Sequence, residues 1–114
     1  MNNGKTRILI FGATGSIGTQ ALDIISKSKN LTLCGFSYYS NDARARKIKN
    51  KYKLNSILKS SSNITEKEIS NYIKKTKPDL IVNAVVGFAG ITYSFATIKN
   101  KIDLALANKE TLVC

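Results

Sequence analysis

The chain has 114 residues, 43% of them hydrophobic, with 18 Lys and Arg against 7 Asp and Glu, no histidine and two cysteines. That length fits one domain with an ordinary core, no apolar run approaches a bilayer span, and Cys34 and Cys114 are too few for a disulfide framework or a metal cluster. The net charge of +11 is scattered over several segments, which reads as a solvated lysine-rich surface, with no nucleic-acid or membrane partner and a cytoplasmic location expected.

The first predicted strand, Arg7 to Phe11, carries the run Ile8-Leu9-Ile10-Phe11 and leads straight into Gly12-Ala13-Thr14-Gly15-Ser16-Ile17-Gly18. A strand, a glycine turn and a helix start, in that order, form the phosphate-binding opening of a dinucleotide fold. Gly12 permits a tight turn, Gly15 keeps bulk away from a diphosphate, and Gly18 allows close helix-to-sheet packing. The N–H groups at the new helix start face an anion. The spacing Gly-x-x-Gly-x-x-Gly differs from the commoner Gly-x-Gly-x-x-Gly, so its position carries the reading: after a strand, beside the hydroxyls of Thr14 and Ser16, and before a helical face of Ile17, Ala21, Leu22 and Ile25. The alternative is a merely structural turn. The helix is expected from about Ser16 to Ser28.

Leu31 to Tyr38 reads as the second strand, with Cys34 a small core residue inside it. An Asp or Glu at its end would bind the ribose 2′-hydroxyl of NAD, but the chain runs Tyr38-Tyr39-Ser40-Asn41 before Asp42. Ser40 and Asn41 can donate to a 2′-phosphate, and Arg44 and Arg46 lie near enough to supply charge, so NADP is favoured over NAD. Ser40-Asn41 is also a plausible turn, with Asp42 the N-cap of a helix to Tyr52 whose lysines circle it. Ser56 to Leu58 is a short third strand and Ser60 to Asn63 a polar loop. Thr65-Glu66-Lys67-Glu68 is a capping box opening a helix to Thr76.

Pro78 breaks the chain, Leu80 to Val86 is a nearly continuous apolar fourth strand, and Gly87-Phe88-Ala89-Gly90 turns into a helix reaching about Lys99. Ile102 to Ala107 is the fifth strand, followed by Asn108-Lys109-Glu110 and the beginning of a helix at Thr111 to Cys114. The alternation argues an α/β, doubly wound parallel sheet of Rossmann-like type, covered on both faces. A final helix of four residues buries nothing useful, so the chain reads as the N-terminal portion of something larger, truncated at its C-terminus. Ligands settle beyond the carboxyl ends of such strands, which gathers the loops at 12–18, 87–90 and 108–110. There Asn108 would bond the cofactor, Lys109 face an anionic substrate or oxyanion, and Glu110 fix Lys109 or the nicotinamide ribose. With no histidine, acid-base work falls to Lys, Glu, Asp, Tyr or residues beyond the chain.

The segments GATGSIGTQALDII, NAVVGFAGITYSFATIKNK and LALANKETLV closely resemble the N-terminal region of the 1-deoxy-D-xylulose 5-phosphate reductoisomerase family, in family order and spacing over nearly the whole chain. The resemblance implies that Thr14, Gly15, Ser16 and Ile17, with Asn108 and Glu110, bind NADPH, and that Lys109 contacts the substrate. The family commonly has Gly-Lys-Asn after the second strand; here Tyr39-Ser40-Asn41 keeps the Asn and lacks the lysine. The implied reaction is rearrangement of 1-deoxy-D-xylulose 5-phosphate and NADPH-dependent reduction to 2-C-methyl-D-erythritol 4-phosphate, in non-mevalonate isoprenoid biosynthesis. Mg²⁺ or Mn²⁺ would serve that reaction from ligands outside this chain, and the whole protein would be a homodimer acting on a phosphorylated sugar. This chain alone would be a cofactor-binding part, inactive by itself, with no catalytic or metal-binding residue of its own. Two other readings stand beside it: another NADP-dependent reductase of the same fold, and a non-catalytic module that senses nucleotides or associates with nucleic acid.

Overall fold

The computed structural model describes residues 4–106, and the expected site residues Asn108, Lys109 and Glu110, with the expected final helix, lie outside them. Strands and helices alternate as β1 (Thr6–Phe11), α1 (Ser16–Lys27), β2 (Leu31–Tyr38), α2 (Asp42–Lys51), β3 (Leu58–Lys59), α3 (Glu66–Thr76), β4 (Leu80–Asn83), α4 (Ala89–Lys99) and β5 (Asp103–Leu106). The five strands form one parallel sheet in the order β3-β2-β1-β4-β5. This is the expected Rossmann-like α/β fold.

Alternation along β1 explains why both faces are covered. Ile8 and Ile10 pack with Leu22, Ile25, Phe36, Ala45 and Ile48 beneath α1 and α2. Leu9 and Phe11 point the other way, to Ile69, Tyr72, Ile73, Ile81, Tyr93 and Ala96 beneath α3 and α4. A strand buried on both sides reads as a continuous apolar run, which is how β1 stands in the sequence. Because the order reverses beside β1, a crevice opens at the carboxyl ends between β1 and β4.

Local chemistry sets the ends of the elements. Thr65 Oγ1 accepts the Glu68 N–H at 3.2 Å while Glu68 Oε1 accepts the Thr65 N–H at 3.2 Å, the expected capping box of α3. The same helix stops at Lys77, in the left-handed region at φ 51°, and Arg7 reaches from β1 to donate to the carbonyls of Thr76 at 2.6 Å and Lys77 at 3.1 Å.

Three boundaries differ from expectation. Asn41, not Asp42, caps α2: its Oδ1 accepts the Arg44 N–H at 3.1 Å, while Asp42 is held by Tyr38 and Lys59. The third strand is Leu58–Lys59 instead of Ser56 to Leu58, because the Tyr72 hydroxyl donates to the Ser56 carbonyl at 2.9 Å and takes it out of the ladder. The fourth strand ends at Asn83, not Val86. The buried Asn83 side chain accepts the Val85 N–H at 3.1 Å and donates to Gly90 O at 2.7 Å and Ser94 Oγ at 2.9 Å, which bends the chain out of the sheet.

Among the described residues no helix is long and apolar enough to cross a membrane, and no cluster of His, Cys, Asp and Glu is placed to hold a metal ion. Cys34 is a free, half-buried thiol, and burial pushes its pKa up to about 11.

Candidate functional site

The turn after β1 is held from below by a single residue. The Gly12 N–H donates to the Ser37 carbonyl at 3.2 Å and to its Oγ at 3.0 Å, and the Ala13 N–H donates to the same carbonyl at 2.9 Å. Gly12 sits at φ +82°, and a Cβ there would stand 3.0 Å from the Ala84 backbone. A Cβ on Gly18 would lie 2.1 Å from the Gly12 carbonyl, so α1 rests directly on the turn. The fold therefore requires both of these glycines.

Gly15 is different. Its φ of −78° suits any residue, and the nearest atom to a Cβ would be the Gly12 carbonyl at 3.8 Å. As N-cap of α1 it contributes no side-chain hydrogen bond, and the first turn holds no acid. A Ser, Asp or Asn in that place would stabilise the helix by a few tenths of a kcal/mol. Nothing among the described residues calls for glycine here, whereas an anion drawn to the positive end of the helix would.

The first turn of α1 opens into a cavity of about 570 Å³ beyond the carboxyl ends of β1, β2 and β4. Thr14, Gly15, Ser16 and Ile17 line one side of it, so four of the expected cofactor-binding residues are brought together. Ile17 is 36% exposed and faces the cavity, not the core face with which the sequence pattern grouped it. Ser40 and Asn41 are exposed and follow Tyr39, which is the last residue of that corner to line the cavity.

Two walls were not expected. Ser60, Ser61 and Ser62 close the side next to β3, and Ala84, Val85 and Val86 close the side after β4. The floor is Tyr93, fully buried on α4, whose hydroxyl donates to Ser60 Oγ at 2.6 Å. Burial raises the Tyr93 pKa, opposed by its hydrogen bonding with Ser60 and Ser37, so the group stays a neutral donor. The only sequence signal for the second wall is Asn83, a polar residue interrupting an apolar run.

At the β2 end, Tyr38 donates its hydroxyl to Asp42 Oδ1 at 2.9 Å, and Lys59 Nζ stands 3.1 Å from the same carboxylate. The Tyr38 hydrogen bond, then Lys59, hold the Asp42 carboxyl below the usual range. Arg44 turns toward α1, where its Nη2 donates to Thr19 Oγ1 at 3.1 Å. Thr19 Oγ1 in turn donates to the Gly15 carbonyl at 2.7 Å. The pocket thus offers helix N–H groups and hydroxyls for phosphates and an apolar wall for rings.

Comparison with known proteins adds a family. A family profile described as 1-deoxy-D-xylulose 5-phosphate reductoisomerase matches residues 8–63 and 38–114. The 1-deoxy-D-xylulose 5-phosphate reductoisomerase of Malacoplasma penetrans is 44% identical over 116 residues, covering 99% of this chain and 30% of its own. That of Thermotoga maritima is 37% identical, covering 94% and 31%. Among solved structures, DOX-P reductoisomerase in complex with magnesium superposes with a TM-score of 0.82 at 23% identity, covering 96% of this chain and 32% of that one. The Zymomonas mobilis enzyme in complex with NADPH gives 0.74 at 21%, covering 96% and 33%. These two structures share the fold, and the chain spans about a third of the length of the relatives it matches.

Proposed function

The chain belongs to the 1-deoxy-D-xylulose 5-phosphate reductoisomerase family, and on that premise we propose that residues 1–114 supply the NADPH-binding part of such an enzyme. The observation that carries the proposal is Gly15: an N-cap glycine at the mouth of a cavity, where a Cβ would come no nearer than 3.8 Å to the described residues and the packing tolerates a side chain. The backbone N–H groups at the start of α1, with Thr14 and Ser16, would hold the diphosphate, and Ile17 would give apolar contact. Ser40 and Asn41 would meet the adenosine end. Asn108 and Glu110 would bind the cofactor and Lys109 the substrate.

When bound, NADPH supplies a hydride. This chain's residues fix where the dinucleotide lies, and Tyr93 and the walls at 60–62 and 84–86 keep water from it. In the whole protein we infer reduction and rearrangement of 1-deoxy-D-xylulose 5-phosphate, a phosphorylated sugar, with Mg²⁺ or Mn²⁺ held by residues other than those described. A cytoplasmic homodimer, engaging neither membrane nor nucleic acid, completes the proposal. Titration of the chain with NADPH, followed by amide chemical shifts, tests the pocket: shifts centred on residues 12–18 are expected. Shifts elsewhere, or salt-dependent RNA or DNA binding that NADPH does not displace, would overturn it.

A further inference from the structure

NADPH differs from NADH by one phosphate on the adenosine ribose, and this chain has Ser40 where its family commonly carries a lysine. Three cations stand near the end of β2. Lys59 is engaged by Asp42 at 3.1 Å. Arg46 is exposed on α2, with Asp42 and Tyr38 as the groups it influences.

Arg44 is placed otherwise. Its backbone N–H is fixed by Asn41, the residue at the corner itself, at 3.1 Å. Its guanidinium crosses to α1, where Nη2 donates to Thr19 Oγ1, the hydroxyl that also bonds the Gly15 carbonyl. One side chain therefore joins the corner after β2 to α1 at Thr19, in a cleft between α1 and α2 that Asp23 also lines and that adjoins the two loops between which an adenosine ribose lies in folds of this kind. Its Nε is buried and has no hydrogen-bond partner among the described residues. A buried donor left unpaired is costly, and a phosphate is the acceptor best matched to a guanidinium fork. Asp42, two residues before it, is paired with Lys59 and hydrogen-bonded by Tyr38, and does not compete.

We propose that Arg44 is the residue by which this chain selects NADPH over NADH, taking the 2′-phosphate in place of the missing lysine. This rests on the reading of the large cavity as a dinucleotide pocket. Dissociation constants of NADPH and NADH for the full chain and for Arg44→Gln, Arg44→Lys and Arg46→Gln test it. Arg44→Gln should weaken NADPH about 10- to 100-fold, the worth of a charged hydrogen-bond pair, with NADH within about two-fold of wild type. Arg44→Lys should recover part of the preference, and Arg46→Gln should keep it. Equal losses for both nucleotides in Arg44→Gln would make the residue a strut between helices, and an unchanged ratio would likewise overturn the proposal while leaving the pocket intact. Failure of the wild-type chain to bind either nucleotide would sink the pocket reading and this inference together.

Discussion

The hydroxyl of Tyr93 donates to Oγ of Ser60 across 2.6 Å, tying α4 to the loop after β3 beneath the cavity. The bond is made at a residue that is fully buried. Tyr93→Phe keeps the ring against Phe11, 4.6 Å between centroids, and removes the hydroxyl with its hydrogen bonding to Ser60 and Ser37. A loss of about 1 kcal/mol in denaturant unfolding is expected, with NADPH affinity little changed. A large affinity loss at unchanged stability would give the hydroxyl a direct part in binding.

The two glycines flanking the first residues of α1 should separate packing from binding. Gly18→Ala brings a methyl to 2.1 Å from the Gly12 carbonyl and should destabilise the fold by about 1–3 kcal/mol or more. Gly15→Ala, with 3.8 Å to its nearest neighbour, should lose only about 0.5–1 kcal/mol, as Ala is a poorer N-cap than Gly, yet bind NADPH at least several-fold more weakly. Thermal melts set beside nucleotide titrations distinguish the pair, and a Gly15→Ala variant with full affinity would contradict the assignment.

Asn83 makes three hydrogen bonds from a fully buried position, to Val85, Gly90 and Ser94. Asn83→Ala strands those partners and should cost about 2–3 kcal/mol in equilibrium unfolding. Amide exchange at 84–90 should rise with it, because the turn loses its anchor. Protection unchanged in that segment would mean the backbone alone holds the turn.

Cys34 should be nearly inert. With its pKa raised by burial to about 11 from an ordinary 9.0, the native thiol is protonated where the unfolded one begins to ionise. Its contribution to stability is fully present below pH 9 and is lost as the pH climbs toward 11, since the unfolded chain releases the proton first. In a Cys114→Ser background, alkylation at pH 8 should be more than about ten times slower than for the denatured chain. Replacing Cys34 with Val should flatten the fall of stability between pH 9 and 11 relative to its parent.

What the sequence disclosed was whatever is settled within a few residues. The run Ile8 to Phe11 followed by Gly12 specifies strand and turn locally, and Thr65 with Glu68 writes its helix start across three positions. What it concealed depends on partners far along the chain. Ser56 leaves its ladder because of Tyr72, sixteen positions on, and Asn83 closes its strand through Gly90 and Ser94. Asn41 and Asp42 are equally able caps by composition; Tyr38 and Lys59, which claim Asp42, decide between them. The serines at 60–62 read as an ordinary polar loop because only the pairing of β3 beside β2 carries them to the cavity.

Ser37 holds the Gly12–Ala13 backbone through three hydrogen bonds, all made within the protein. The bend is consequently set before any visitor arrives, and a nucleotide meets a finished mould. Association should then proceed without a slow isomerisation phase, and calorimetry should show little entropy lost to ordering this segment.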